Sequence, residues 1–184
     1  MTMQLATTGL VVVDVQNGFA RGPAVDVVPA IVDLVARWQA AGGRTIFTRY
    51  LNYEGSPFER IIGWHQMRDA PETDLIDELT PYLAGQHVID KKIYSLFTDE
   101  AAQIVADQGW TDLLICGLTT ESCVCKTAVD AFERDITPWV VTDACGTHAG
   151  SAAHDAGLLV ISRFIGDGQL VRSQTVLAAA GSCQ

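Results

Sequence analysis

Basic residues are scarce in this chain: 12 lysines and arginines stand against 22 aspartates and glutamates, a formal charge of −10 over 184 residues. Binding to DNA or RNA draws on lysine and arginine to displace counterions from phosphates, so this balance argues against a nucleic-acid partner and equally against an anionic membrane surface. Long apolar runs are also missing. The longest are four or five residues, far short of the roughly 20 that a membrane-spanning helix needs. The opening MTMQLATTGL has neither the basic leader nor the apolar core of a secretory signal. Nucleotide-binding punctuation is absent: no Gly-x-Gly-x-x-Gly follows a strand and no Gly-Lys-Ser/Thr loop occurs. Gly150-Ser151 lacks the flanking glycine of a serine nucleophile elbow. Asp14, Asp90 and Asp143 are too scattered along the chain to suggest a metal site. Five cysteines, Cys116, Cys123, Cys125, Cys145 and Cys183, make an odd number with no export signal. That pattern points to free thiols in a reducing cytoplasm.

What is present is an alternation of strands and helices. The length suits one domain, 1–184, and a chain of this size buries a core without disulfide or metal staples. Gly9–Val15 is a β-branched apolar run and reads as a buried strand ending near Asp14. Val28, Ile31, Val32, Val35 and Trp38 recur at helical spacing, with Pro29 in the first turn and Gly42-Gly43 at the end. Further strands are expected at 44–49, 87–90, 112–116, 137–141 and 170–171. Helices are expected from Thr98 to Gln108, after Gly117, from Ser151 to Ile161 and over 173–180. In the helix after Gly117, Val124, Cys125, Ala128, Val129 and Phe132 mark the apolar face. Residues 50–70, with Tyr50, Tyr53, Phe58, Arg60, Trp64 and Arg68 among turn formers, read as an irregular binding loop rather than a helix. The whole predicts a three-layer α/β/α domain on a mostly parallel sheet of about six strands.

In such a sheet, ligands bind beyond the carboxyl ends of the strands where the strand order reverses. Asp14 ends the first strand, Lys91 ends the third, and Cys123 opens the helix after the fourth. A helix's first turn offers free N–H groups and partial positive charge, which can lower a thiol from about 8.5 to between about 3.5 and 7.5. The same N–H groups can hold an oxyanion. Taken locally, Cys123 is either a nucleophile or a small buried hydrophobe. Cys125 lies about 200° round the helix from it and belongs to packing. Cys116 reads as core, and Cys145 stays open as a residue of the pocket rim. A buried Asp14 requires a partner; it is a general base, one half of a structural ion pair, or a cap for Asn17 and Gly18, and Lys91, beside Lys92, is either its counter-ion or an exposed strand-end charge.

Three segments together resemble the isochorismatase-like cysteine hydrolase superfamily. Leu10-Val-Val-Val-Asp14-Val-Gln-Asn-Gly-Phe19 is similar to the family's opening strand with its aspartate. Val88-Ile-Asp-Lys91-Lys-Ile-Tyr-Ser-Leu-Phe97 is similar to its lysine motif, in a register that selects Lys91 over Lys92. Gly117-Leu-Thr-Thr-Glu-Ser-Cys123-Val124 is similar to its nucleophile motif. Thr142-Asp143-Ala144 and the helix carrying His154 continue the resemblance, which covers nearly the whole chain.

The resemblance implies a catalytic set of Asp14, Lys91 and Cys123, with backbone amides of Thr119 and Cys123 as the oxyanion site and a cis peptide between Leu118 and Thr119. It implies a homo-oligomer, and cleavage of a small amide, ureide or carbamoyl C–N bond through a thioester on Cys123. Isochorismatase-type vinyl-ether hydrolysis is the alternative, and a non-catalytic thiol sensor or binding module is a second. Nicotinamidases of the superfamily carry an Asp-x-His and a further histidine after the second strand, whereas this chain has Thr48-Arg-Tyr-Leu-Asn-Tyr53. No metal and no cofactor are therefore expected. Phe19, Trp64 and Phe97 are candidate pocket walls, and Arg49 or Arg60 a candidate partner for a substrate carboxylate; Asp143 is read as a brace.

Overall fold

The computed structural model describes residues 4–176. Six parallel strands form one sheet: β1 (Thr8–Val13), β2 (Arg44–Tyr50), β3 (His87–Lys91), β4 (Asp112–Leu118), β5 (Thr137–Gly146) and β6 (Leu170–Val171), in the spatial order β3-β2-β1-β4-β5-β6. Every strand pair is parallel. The helices are α1 (Val28–Ala40), a single turn α2 (Pro57–Arg60), α3 (Asp99–Asp107), α4 (Cys125–Phe132) and α5 (Ser151–Ile165). All six residues of β1 are buried, as are six of the seven in β4. A strand that hides both its faces needs cover on both sides, which is why these strands are continuous apolar runs rather than alternating ones.

Local chemistry explains the boundaries. Pro29 sits in the first turn of α1, where its missing N–H is no loss. Ile31, Leu34, Val35 and Trp38 face inward from that helix, and the Trp38 indole donates to the carbonyl of Arg44 at 3.0 Å as the chain enters β2. Thr98 caps α3 by accepting from the Ala101 amide at 3.1 Å. Gly117 has φ +117, and a Cβ there would stand 2.2 Å from the Val13 carbonyl oxygen. Only glycine lets β4 run this close to the end of β1.

Several sequence expectations need correcting. The segment after Gly117 does not enter an α-helix directly; Thr120–Val124 is a wider, π-type turn before α4. The buried residues of α4 are Thr127, Ala128, Asp130 and Ala131, with Val124 just before it, while Phe132 is exposed and Cys125 half-buried. The wide turn shifts the helical phase, so Cys125, Val129 and Phe132 do not form the buried face. Strand β5 continues five residues beyond Val141, and α5 four beyond Ile161. Tyr50 belongs to β2, and residues 51–70 are irregular apart from the single turn α2. The helix expected over 173–180 is helical at 173–176, and the remainder, with Cys183, lies outside the described residues. No helix among the described residues is long and apolar enough to cross a membrane.

Candidate active site

The strand order reverses between β1 and β4, and the carboxyl ends of these strands open the crevice where an open parallel sheet binds its ligand. Asp14 is the first residue past β1. Its φ of +49 lies in the left-handed region, which aspartate tolerates better than most residues. Thr48 of β2 holds it at both ends: the Asp14 amide donates to Thr48 Oγ1 at 3.1 Å, and that hydroxyl donates to Asp14 Oδ1 at 2.6 Å. The second carboxylate oxygen accepts from Lys91 Nζ at 2.6 Å, and both side chains are fully buried. The ammonium completes its bonding with the carbonyls of Ile93 at 3.0 Å and Tyr94 at 2.9 Å. Charges this deep persist only when each donor and acceptor has a partner, and here the partners come from three different segments.

Gln16 stitches the floor. Its amide donates to the carbonyls of Tyr50 and Thr73 and accepts from the Tyr50 amide at 2.7 Å. It thus takes the place of a strand residue beside the end of β2.

Cys123 lies on the π-type turn, 6% exposed. Burial pushes its thiol well above the ordinary range, and the adjacent Asp14 carboxylate pushes the same way. The Lys91 ammonium and the nearby Thr119 backbone oppose that rise. The helix-terminus expectation of a lowered thiol therefore gives way to burial, because Cys123 is almost fully enclosed and lies next to Asp14. The peptide between Leu118 and Thr119 is cis.

A cavity of about 270 Å³ opens onto Cys123 and Thr119. Phe19, Tyr50, Phe58, Trp64 and Tyr94 supply aromatic walls, and Glu121, Ser122 and His148 a polar side. The rings form one cluster: Phe58 meets Tyr50 and Tyr94 edge-on, each at 4.9 Å, while Phe19 stacks between Trp64 and His148. Asn52, buried beneath the loop, donates to the carbonyls of Trp64 and Gln66 and so fixes Trp64 over the cavity.

Of the residues singled out in the sequence, the structure brings together Asp14, Lys91, Cys123, Thr119, Phe19 and Trp64. Arg49 and Phe97 do not line the cavity. Arg49 is occupied in a two-pronged pair with Asp90 at 2.7 and 2.8 Å, since strand neighbours β2 and β3 put the two side by side. Phe97 is buried below the guanidinium of Arg134, 4.5 Å from its ring centre. Arg60 donates to the Gly55 carbonyl at the surface. Asp143 accepts from both the amide and the hydroxyl of Ser173, which ties the chain after β6 to β5. Cys145 lines a separate depression.

Tyr50, Phe58, Ile62, Tyr94, Glu121, Ser122 and His148 were not singled out as pocket residues. Tyr50 carried a usable signal, because it stands two residues after Thr48 and so shares its strand face. His148, on the loop after β5, carried none.

An open parallel sheet with a thiol, a carboxylate and an ammonium converging at its switch point places the chain among the isochorismatase-like α/β hydrolases. The sequence profile described as the isochorismatase domain matches residues 8–167, and the chain belongs to the isochorismatase family. It is 30% identical over 200 residues to the ureidoacrylate amidohydrolase RutB of Methylobacterium radiotolerans, spanning 88% of this chain and 75% of that one. It is 32% identical over 154 residues to the streptothricin hydrolase of Streptomyces noursei, covering 79% of this chain and 52% of that protein. Among solved structures, the N-carbamoylsarcosine amidase of Thermoplasma acidophilum superposes with a TM-score of 0.78 at 28% identity, over 91% of this chain and 96% of that one.

Proposed function

We propose that the chain, acting as one domain, is a cysteine-dependent amidohydrolase that cleaves a small amide, ureide or carbamoyl C–N bond through a thioester on Cys123. The observation that carries this reading is the buried Asp14–Lys91 pair, 2.6 Å apart, set against the thiol at the floor of the cavity. The amidohydrolases among its relatives support the same chemistry.

In the first half-reaction the Cys123 proton passes to Asp14 as sulfur attacks the substrate carbonyl. Burial makes a free thiolate unfavourable, so transfer and attack are coupled in one step. The carbonyl oxygen becomes an oxyanion, held by the backbone amides of Thr119 and Cys123. Asp14 returns its proton to the departing nitrogen, the C–N bond breaks, and a thioester remains. Water then enters the vacated side and gives a proton to Asp14 as its oxygen attacks the thioester. The acid leaves, and Cys123 recovers its proton from Asp14. Lys91 fixes the carboxylate's position throughout. Phe19 and Trp64 wall the substrate.

The exposed rings and chains of Phe132, Leu159, Val160 and Phe164 on the adjacent helices α4 and α5 support a homo-oligomer. Light scattering giving a monomer mass would remove that part of the reading. The activity itself is tested by ammonia release from a panel of small amides, ureides and carbamoyl compounds, run beside Cys123→Ala. Release by the native chain that disappears in the variant is the expected result; full release by the variant would overturn the mechanism.

A further inference from the structure

Thr48, near the end of β2, is fully buried. Valine would fill the same space, and a buried hydroxyl is costly unless it is hydrogen-bonded. Both hydrogen bonds that this one makes among the described residues go to a single residue, Asp14: it accepts from the Asp14 amide at 3.1 Å and donates to Asp14 Oδ1 at 2.6 Å. A hydroxyl has one proton, so its only donor is committed to the carboxylate. The strands prepare this contact. Pairing of β1 with β2 ends at Val12 and Phe47. Asp14 then turns aside with φ +49, and its amide meets a side chain of β2 in place of a main-chain carbonyl. Thr48 is itself paired with Ile89 of β3, and a β-branched side chain is stiff at χ1. The hydroxyl is thus anchored on a strand held from both sides.

Lys91 holds the other oxygen. Its Nζ donates to Asp14 Oδ2 at 2.6 Å and spends its remaining bonds on the carbonyls of Ile93 and Tyr94. One contact leaves a carboxylate free to turn about its Cβ–Cγ bond, a soft torsion. A second contact, on the opposite oxygen, fixes the plane. Cys123 lies next to this carboxylate, and misplacing a reacting group by about 1 Å can cost on the order of 100-fold in rate. Thr48 does not line the cavity, so it reaches the reaction through Asp14 alone. Resting on the hydrolase reading above, we propose that Thr48 is a positioning residue, setting the plane of the Asp14 carboxylate for proton transfer with Cys123.

The experiment compares the native chain with Thr48→Val, which keeps the volume and removes the hydroxyl, and Thr48→Ser, which keeps the hydroxyl. Circular dichroism checks the fold; if Thr48→Val does not fold, Thr48→Ala takes its place. With the amide of the panel that the native chain turns over fastest, Thr48→Val is expected to lower kcat by about 10- to 100-fold with KM within about threefold, and Thr48→Ser to restore kcat to within about threefold of native. Native kcat in Thr48→Val, a change confined to KM, or a serine variant as slow as the valine one overturns the proposal and leaves the hydrolase reading standing. If the native chain releases ammonia from no compound, the rate of Cys123 alkylation by iodoacetamide, read by peptide mass spectrometry, decides. Alkylation about tenfold slower in Thr48→Val and near native in Thr48→Ser, with Cys125 unchanged, means that the positioning holds while the hydrolase reading fails. A merely structural Thr48 would loosen the fold and speed the alkylation of Cys123 and Cys125 together. That result, equal rates in all three chains, or no reaction at Cys123 overturns the positioning.

Discussion

Cys123 and Cys145 are near neighbours in burial, 6% and 4% exposed, and lie past the switch point on consecutive segments of the same half of the sheet. Their surroundings differ in kind. Cys145 sits in β5 beside Gly117, its sulfur 3.8 Å from the Ile115 carbonyl, and burial pushes its thiol up to about 12. Cys123 is also pushed up by burial, but it opens onto a cavity, faces a carboxylate that can take its proton, and has the Thr119 amide alongside. Burial by itself makes a thiol inert. A proton acceptor and room for a carbonyl are what separate the candidate nucleophile from its neighbour.

The largest expected effect separates the two cysteines directly. Cys123→Ala should lower kcat by roughly 10³-fold or more with the circular dichroism spectrum retained, while Cys145→Ala should keep near-native turnover. Equal losses would erase the distinction. Next comes the floor that serves only Cys123. Lys91→Met removes one partner of a fully buried pair and strands Asp14, with an expected loss of about 3–5 kcal/mol in urea unfolding. The contrast is Arg37→Met, which breaks an i,i+4 pair with Asp33 in which both side chains are more than half exposed; it should change stability by less than about 1 kcal/mol. Similar values for the two substitutions would mean that burial does not set the weight of the Asp14–Lys91 pair.

Cys145 has its own signature in pH. Its folded thiol titrates near 12 instead of an ordinary 9.0, so the folded state holds its proton where the unfolded state has lost it. The stabilisation is complete below about pH 9 and drains away as pH rises toward 12. Cys116 and Cys123 shift in the same direction. Urea midpoints should be flat from pH 7 to 8.5 and then fall. Cys145→Ala should remove a share on the order of 1–2 kcal/mol between pH 9 and 10.5. A pH-independent midpoint would contradict this. The smallest effect concerns the turn itself. Gly157 of α5 abuts it so closely that a Cβ would stand 2.8 Å from the Glu121 Cα. Alanine there gains up to about 1 kcal/mol in helix propensity, yet the clash should reverse the sign and lower turnover several-fold. A stabilised, fully active Gly157→Ala would show that the turn is free to move.

Much of this arrangement is legible in the sequence, for physical reasons. Buried parallel strands read as β-branched runs, and Asp14 and Lys91 are polar residues at the ends of such runs, where a sheet places its ligands. The lysine motif's register distinguishes Lys91 from Lys92. What did not read out depends on long-range packing. Sequence position alone puts Arg49 and Phe97 near the pocket, but the register between β2 and β3 hands Arg49 to Asp90, and Arg134 covers Phe97. The wide turn at Thr120–Val124 shifts the helical phase after it, so Phe132 points outward. The polar side of the cavity comes from Glu121, Ser122 and His148, and a sequence does not say which polar residues of a loop face inward.

The most direct test of Cys123 as nucleophile is rapid acid quenching during amide turnover, followed by mass spectrometry of the intact protein and its peptides. The expected result is an added mass equal to the acyl group, confined to the peptide containing Cys123 and lost on treatment with hydroxylamine. Rapid turnover with no acylated Cys123 at any quench time, and persisting in Cys123→Ala, would contradict the account.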